Sequence, residues 1–252
     1  MIRTFVSIAC AVLPLAALAD AQLQMVDKAG SVDGTYQIKG GKVRMESADA
    51  GDMTIVYDAA THGTTVLDHG KKQYMRIDAE TAASAGAAVS DAMAAIQKQL
   101  EALPPEQREA MKQYLPQLPG GTTSIPKIAA SPTGKSDSVN GKPCDVVNVT
   151  MDGDPLGEAC IASGGVGLSD ADQQTLQTMF DDMSKVASSV LGSGARAGQQ
   201  FSALGGVPLR WKEAETGRVT ETRVDTKAPI DSKAFDIPAG YTETKLPIPT
   251  LH

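Results

Sequence analysis

Two cysteines and two histidines hold most of the reactive potential of this sequence. Cys144 and Cys160 lie in GKPCDVVNVTMDGDPLGEACIAS, on either side of a turn rich in Gly, Asp and Pro. They could be metal ligands, a redox couple or a covalent staple. A zinc site needs four N or S donors, and His62 and His69 are the only histidines besides the terminal His252. A redox pair usually shows Cys-x-x-Cys at a helix start, a spacing absent here. A hairpin turning at Asp152-Gly153 places side chains of equal parity on one side. Cys144 and Cys160 then face each other directly, or diagonally after a register offset, within disulfide reach. A disulfide is therefore expected, closing a loop worth about 3 kcal/mol by chain entropy.

The other candidates point away from catalysis. A nucleophilic triad would need a serine placed on His62 or His69, and no Gly-x-Ser-x-Gly elbow occurs. Asp152 and Asp154 lack the twelve-residue spacing and closing glutamate of a calcium loop. Asn148-Val149-Thr150 matches a glycosylation sequon but falls mid-strand. Met45, Met53 and Met75 show neither Met-x-x-Met spacing nor a histidine partner for copper. No catalytic residue, metal ligand or cofactor is expected. Methionine also recurs on helical faces, at Met93, Met111, Met179 and Met183, where a flexible thioether suits either a packed core or an adaptable binding surface.

The elements that must position these residues follow from hydrophobic periodicity. TYQIKG and KVRME alternate apolar and polar residues around Gly40-Gly41, and strands at Met53–Tyr57, Thr64–Leu67 and Gln73–Ile77 follow after short turns. Such short links imply an antiparallel meander, because parallel strands need long crossovers. From Ala79 the period changes: Val89, Met93, Ile96, Leu100 and Leu103 recur three and four apart. Pro104-Pro105 stops that helix and opens a second one, whose apolar face is Met111, Tyr114, Leu115 and Leu118. Strands resume near Lys127 and run through the cysteine hairpin. A further helix starts at the N-cap Ser169, with Leu176, Met179, Phe180, Met183, Val186, Val190 and Leu191 as its stripe. VPLRWKEAETGRVTETRVD forms a closing hairpin, followed by a proline-rich tail.

Composition narrows the function classes. A net charge of −7 leaves no basic face for nucleic acid. Aromatic residues make up 4 %, too few for sugar or base stacking. MIRTFVSIACAVLPLAALAD reads as a signal peptide over residues 1–19, with Arg3, an apolar Phe5–Leu18 and the Ala17-Leu18-Ala19 cleavage site. Its apolar run is short for a span, and no later stretch is long enough. The mature chain is expected in the periplasm or outside the cell, with Cys144 and Cys160 as its whole cysteine complement.

Six segments occur in a telling order: TYQIKGGKVRME, VYDAATHGTTVLDHGKKQYMRID, PPEQREAM, GKPCDVVNV, GVPLRW and FDIPAGY. Together they resemble the bacterial exported family known as domain of unknown function four-four-one-two. That family is in turn similar to the LolA/LolB-type periplasmic lipoprotein carriers. The resemblance implies one α+β domain over residues 20–252, a curved, mostly antiparallel sheet forming an open half-barrel. Helical insertions near 79–118 and 169–203 would pack on its concave face. It also implies binding of a lipid, acyl chain or lipoprotein, in a cleft expected to be lined by Val89, Met93, Ile96, Leu100, Met179, Met183 and Val186. The alternative is an envelope module that docks another protein or senses stress without a ligand cavity.

Overall fold

The structure is a computed structural model that describes residues 20–104, 107, 127–163, 166–190, 204 and 206–245, without the side chains of 49, 89, 90, 92, 93, 97 and 185–190. The expected signal peptide and the helix after Pro104-Pro105 lie outside the described residues, residue 107 apart. Among the described residues, twelve strands form one open sheet. In chain order they are β1 (Ala21–Asp27), β2 (Val32–Lys39), β3 (Lys42–Ser47), β4 (Met53–Asp58), β5 (Gly63–Asp68), β6 (Gln73–Ile77), β7 (Ile128–Val139), β8 (Lys142–Met151), β9 (Asp154–Ala162), β10 (Pro208–Glu213), β11 (Val219–Asp225) and β12 (Thr242–Glu243). Helix α1 (Ala79–Glu101) follows β6, and α2 (Asp170–Val190) follows β9.

The spatial order is β12-β6-β5-β4-β3-β2-β1-β11-β10-β9-β8-β7. Every pairing is antiparallel except the short β12 beside β6. The sheet is thus two meanders, β1–β6 and β7–β11, joined where β1 pairs with β11. Turn chemistry sets the meander. Gly40-Gly41, Asn140-Gly141 and Asp152-Gly153 are two-residue links with positive φ at both positions, the hairpin turn whose twist matches the flanking strands. β7 is a sheet edge, interrupted by Pro132, a bulge before Lys135 and Gly134 at φ 73°. Those features discourage pairing with a foreign strand.

The cysteine register contains an offset. Met151 opposes Asp154, but beyond a bulge at Val149/Thr150 the partners become Val146↔Cys160 and Cys144↔Ala162. The two cysteines are diagonal neighbours and form a disulfide at a Cα–Cα separation of 5.3 Å.

The helices start at side-chain caps. Asp78 accepts a 2.7 Å bond from the Thr81 amide at the head of α1, and Ser169 Oγ accepts 3.1 Å from the Asp172 amide at the head of α2. α2 lays Leu176, Met179, Phe180 and Met183 into the main core with Leu23, Ile38, Val43, Tyr57 and Leu209 of the sheet. Phe180 meets the Tyr36 ring edge-on at 6.4 Å. Leu176 and Met179 are nearly fully buried, each stabilising by roughly 1.5–3 kcal/mol. α1 packs on α2 and on β6.

A second core lies on the opposite face of β4 and β5. There Val56 and Leu67 are covered by Ala228, Ile230 and Phe235 from the segment after β11. Arg44 secures this segment by donating to the Ala234 carbonyl at 2.7 Å. β1, β12 and this covering segment have no counterpart in the expectations from sequence.

Candidate functional site

A continuous row of side chains crosses seven strands on the face that carries α2. It follows from the register: Trp211 opposes Thr220, Thr222 opposes Met25, Met25 opposes Gly34, Tyr36 opposes Met45, Met45 opposes Ile55 and Ile55 opposes Val66. This row floors a cleft of about 420 Å³, walled also by Met53, Met183 of α2 and Leu204. Its volume lies in the range of small-ligand sites, about 300–1,000 Å³.

Two glycines let large side chains lie flat on the sheet. A Cβ on Gly34 would come within 2.6 Å of the Met25 methyl, and one on Gly157 within 2.8 Å of the Trp211 ring and 2.4 Å of the Lys212 carbonyl. The cleft is mainly apolar. Its polar lining is Glu46, Ser47, Thr220 and Thr222, and Glu46 is ion-paired with Arg44. Burial pushes the Tyr36 phenol up to about 12, so it stays a neutral hydroxyl at physiological pH.

Of the residues expected to line the site, Met183 does so. Met179 is fully buried in the core beneath it, Leu100 is buried and Ile96 half-buried on α1. The side chains of Val89, Met93 and Val186 lie outside the described residues. The cleft floor is a property of strands rather than of helix stripes. The alternation of Tyr36 with Ile38, and of Val43 with Met45, is its signal in the sequence. What sequence reading missed is the joining of β1 to β11, which brings Met25 and Trp211 into one surface.

Two polar clusters contain the histidines. His69 Nε2 lies 2.8 Å from Thr54 Oγ1, and its Nδ1 lies 2.6 Å from the Tyr241 hydroxyl. They adjoin a shallower hollow of about 380 Å³ that Asp52, Glu46 and Thr35 also line. A hydroxyl–imidazole pair invites comparison with a nucleophile and its base. The contacts clamp Tyr241 to β4 through His69, and two features distinguish them from a triad. Thr54 is 1 % exposed although it borders the hollow. The group behind the imidazole is a phenol, not the carboxylate that holds an imidazolium in a triad.

The second cluster ties α2 to the sheet. Asp182 Oδ2 accepts 2.6 Å from the Tyr57 hydroxyl and lies 2.7 Å from His62 Nδ1. Burial, then the hydrogen bond to Asp182, raises the Tyr57 phenol well above its ordinary range. His62 sits at φ 54° in the β4–β5 turn. Among the described residues, no group of three or more His, Cys, Asp or Glu side chains could hold a metal ion. Nor is any described helix long and apolar enough to cross a membrane.

No protein-family description matches the sequence, and no curated protein does. Among solved structures, the chain is similar to one described as "Structure of PNGF-II in C2 space group", with 9 % identity and a TM-score of 0.40. The match covers 90 % of this chain and 31 % of the other, so the chain spans about a third of that structure's length.

Proposed function

We propose that this protein is an exported, non-enzymatic binding protein of the cell envelope that holds an acyl chain of a lipid or lipidated partner. In this reading residues 1–19 are a cleaved signal peptide and the protein works in the periplasm. The sheet is a half-barrel of LolA type with helices on its concave face, in keeping with the resemblance to family four-four-one-two. The observation that carries the reading is the apolar row from Trp211 to Val66, left as a cleft of about 420 Å³ beside α2. Packed interiors leave few voids larger than a water molecule, and burying each methylene of a chain there would contribute about 0.8 kcal/mol.

Binding would be non-covalent, with dispersion contacts from Met25, Met45, Ile55, Val66 and Met183 and the ring face of Trp211. Titration with a fluorescent long-chain fatty-acid analogue tests it. Saturable one-site binding is expected, weakened about tenfold or more by Ile55→Asp. Failure of the folded wild-type protein to bind acyl probes of any chain length would overturn the proposal.

A further inference from the structure

Four of the ten methionines in the sequence line one cleft: Met25 from β1, Met45 from β3, Met53 from β4 and Met183 from α2. Three of these are strand positions, where β-branched and aromatic residues fit the pleated surface better than an unbranched thioether. Leucine would supply similar apolar volume without a sulfur, so the repeated choice gathers reactive thioethers at one place. Met53 is 44 % exposed and stands where the cleft and the neighbouring hollow share their lining. Met25, Met45 and Met183 are half-buried. Met179, one turn before Met183 on α2, is sealed in the core with no exposed surface.

We propose that the cleft is a reversible methionine-oxidation site, at which a peroxide converts Met53 first, and then Met25, Met45 and Met183, to sulfoxides and expels an apolar ligand. The step balances. A lone pair on Sδ attacks the peroxide's distal oxygen, an S–O bond forms and the O–O bond breaks. The departing hydroxide takes up the proton of the transferred hydroxyl and leaves as water. Sulfur loses two electrons and peroxide gains them. A sulfoxide is polar and chiral, so each event plants a strong acceptor in a surface that is otherwise mainly apolar. Reduction by a methionine sulfoxide reductase with a thiol donor returns the thioether. The release step rests on the lipid-binding reading above; the oxidation itself does not.

Trp211 is the sole tryptophan of the sequence and lines the cleft, so its emission reports the polarity there whether or not a ligand is known. The full mature protein is treated with graded hydrogen peroxide, then followed by peptide mass mapping, Trp211 emission and affinity for the fluorescent fatty-acid analogue. Met53 is expected to gain oxygen first and Met179 last. Trp211 emission should move to longer wavelength, and affinity should fall about tenfold or more and recover after enzymatic reduction. Met53→Leu should delay these changes. The combined variant Met25→Leu, Met45→Leu, Met53→Leu and Met183→Leu should abolish the peroxide-dependent shift in Trp211 emission. The proposal is overturned if the four sulfoxides form without moving Trp211 emission, if Met179 oxidises as fast as Met53, or if the leucine variant responds to peroxide like the wild type. Should the reduced protein bind no acyl probe, the lipid-binding reading falls alone, and mapping with Trp211 emission still decides the oxidation.

Discussion

The Arg210 guanidinium donates at 2.6 Å to the Asp137 carboxylate, reaching from β10 to β7 over the two strands that the Cys144–Cys160 bridge joins. Arg210 opposes Cys160, and Asp137 opposes Cys144, so ion pair and disulfide lie on one line across four strands. The covalent link fixes β8 to β9, and the ionic one spans outward to β7 at the sheet edge.

Arg210 holds the Asp137 carboxyl below its ordinary range, first through the side-chain hydrogen bond. A carboxyl with a depressed folded pKa stabilises the fold above its unfolded value. That contribution is lost progressively as pH falls below about 4. Arg210→Ala should therefore lower stability at pH 7 and make little difference at pH 2. Denaturant unfolding of both proteins at the two values checks this, and an equal deficit at both would refute it.

Removing the bridge by Cys144→Ala with Cys160→Ala should cost about 3 kcal/mol, the loop-closure value for sixteen residues. Equilibrium unfolding against the oxidised wild type gives the difference. Adding a reductant to the wild type should reproduce most of it, since the loop opens without a change in core volume.

Gly157→Ala should disturb the cleft from beneath. The added methyl meets a backbone carbonyl at 2.4 Å and the Trp211 ring at 2.8 Å, and the carbonyl has little freedom to yield. A loss of about 1–3 kcal/mol is expected for such overpacking, with a changed Trp211 emission spectrum. Unchanged emission would place the ring elsewhere.

His69→Ala removes the imidazole partner of both the buried Thr54 hydroxyl and the Tyr241 hydroxyl. The expected cost is about 1–3 kcal/mol, read by unfolding, with smaller losses for Tyr241→Phe. Hydrolysis of simple esters should stay at background in wild type and variant alike. An esterase activity that vanishes with His69 would turn the clamp into a catalytic pair.

Much of this architecture is legible from residue order, because hairpin chemistry is local. Gly40-Gly41, Asn140-Gly141 and Asp152-Gly153 dictate tight reversals, and the alternation beside them identifies faces. The disulfide follows from parity, although its diagonal geometry depends on a bulge at Val149/Thr150 that no residue type announces. The pairing of β1 with β11 is non-local, and AQLQMVD carries too short an alternation to stand out beside the apolar run that precedes it. The covering of Val56 and Leu67 by Ile230 and Phe235 is hidden for the same reason: those residues lie in a proline-bearing segment without period. The cleft inherits this limit, since Met25 and Trp211 come together only through the non-local pairing.

The β1–β11 seam unites a segment that begins at residue 21 with one that ends at residue 225. Until β11 emerges, β1 has an open flank and the first meander lacks its neighbour. Pairings so remote in sequence form slowly, so the halves should persist as separate ribbons with bare edges early in folding. A chain cut before Val219 would keep β1–β6 and β7–β10 but lose β11, the strand that stitches them, and with it the surface shared by Met25 and Trp211.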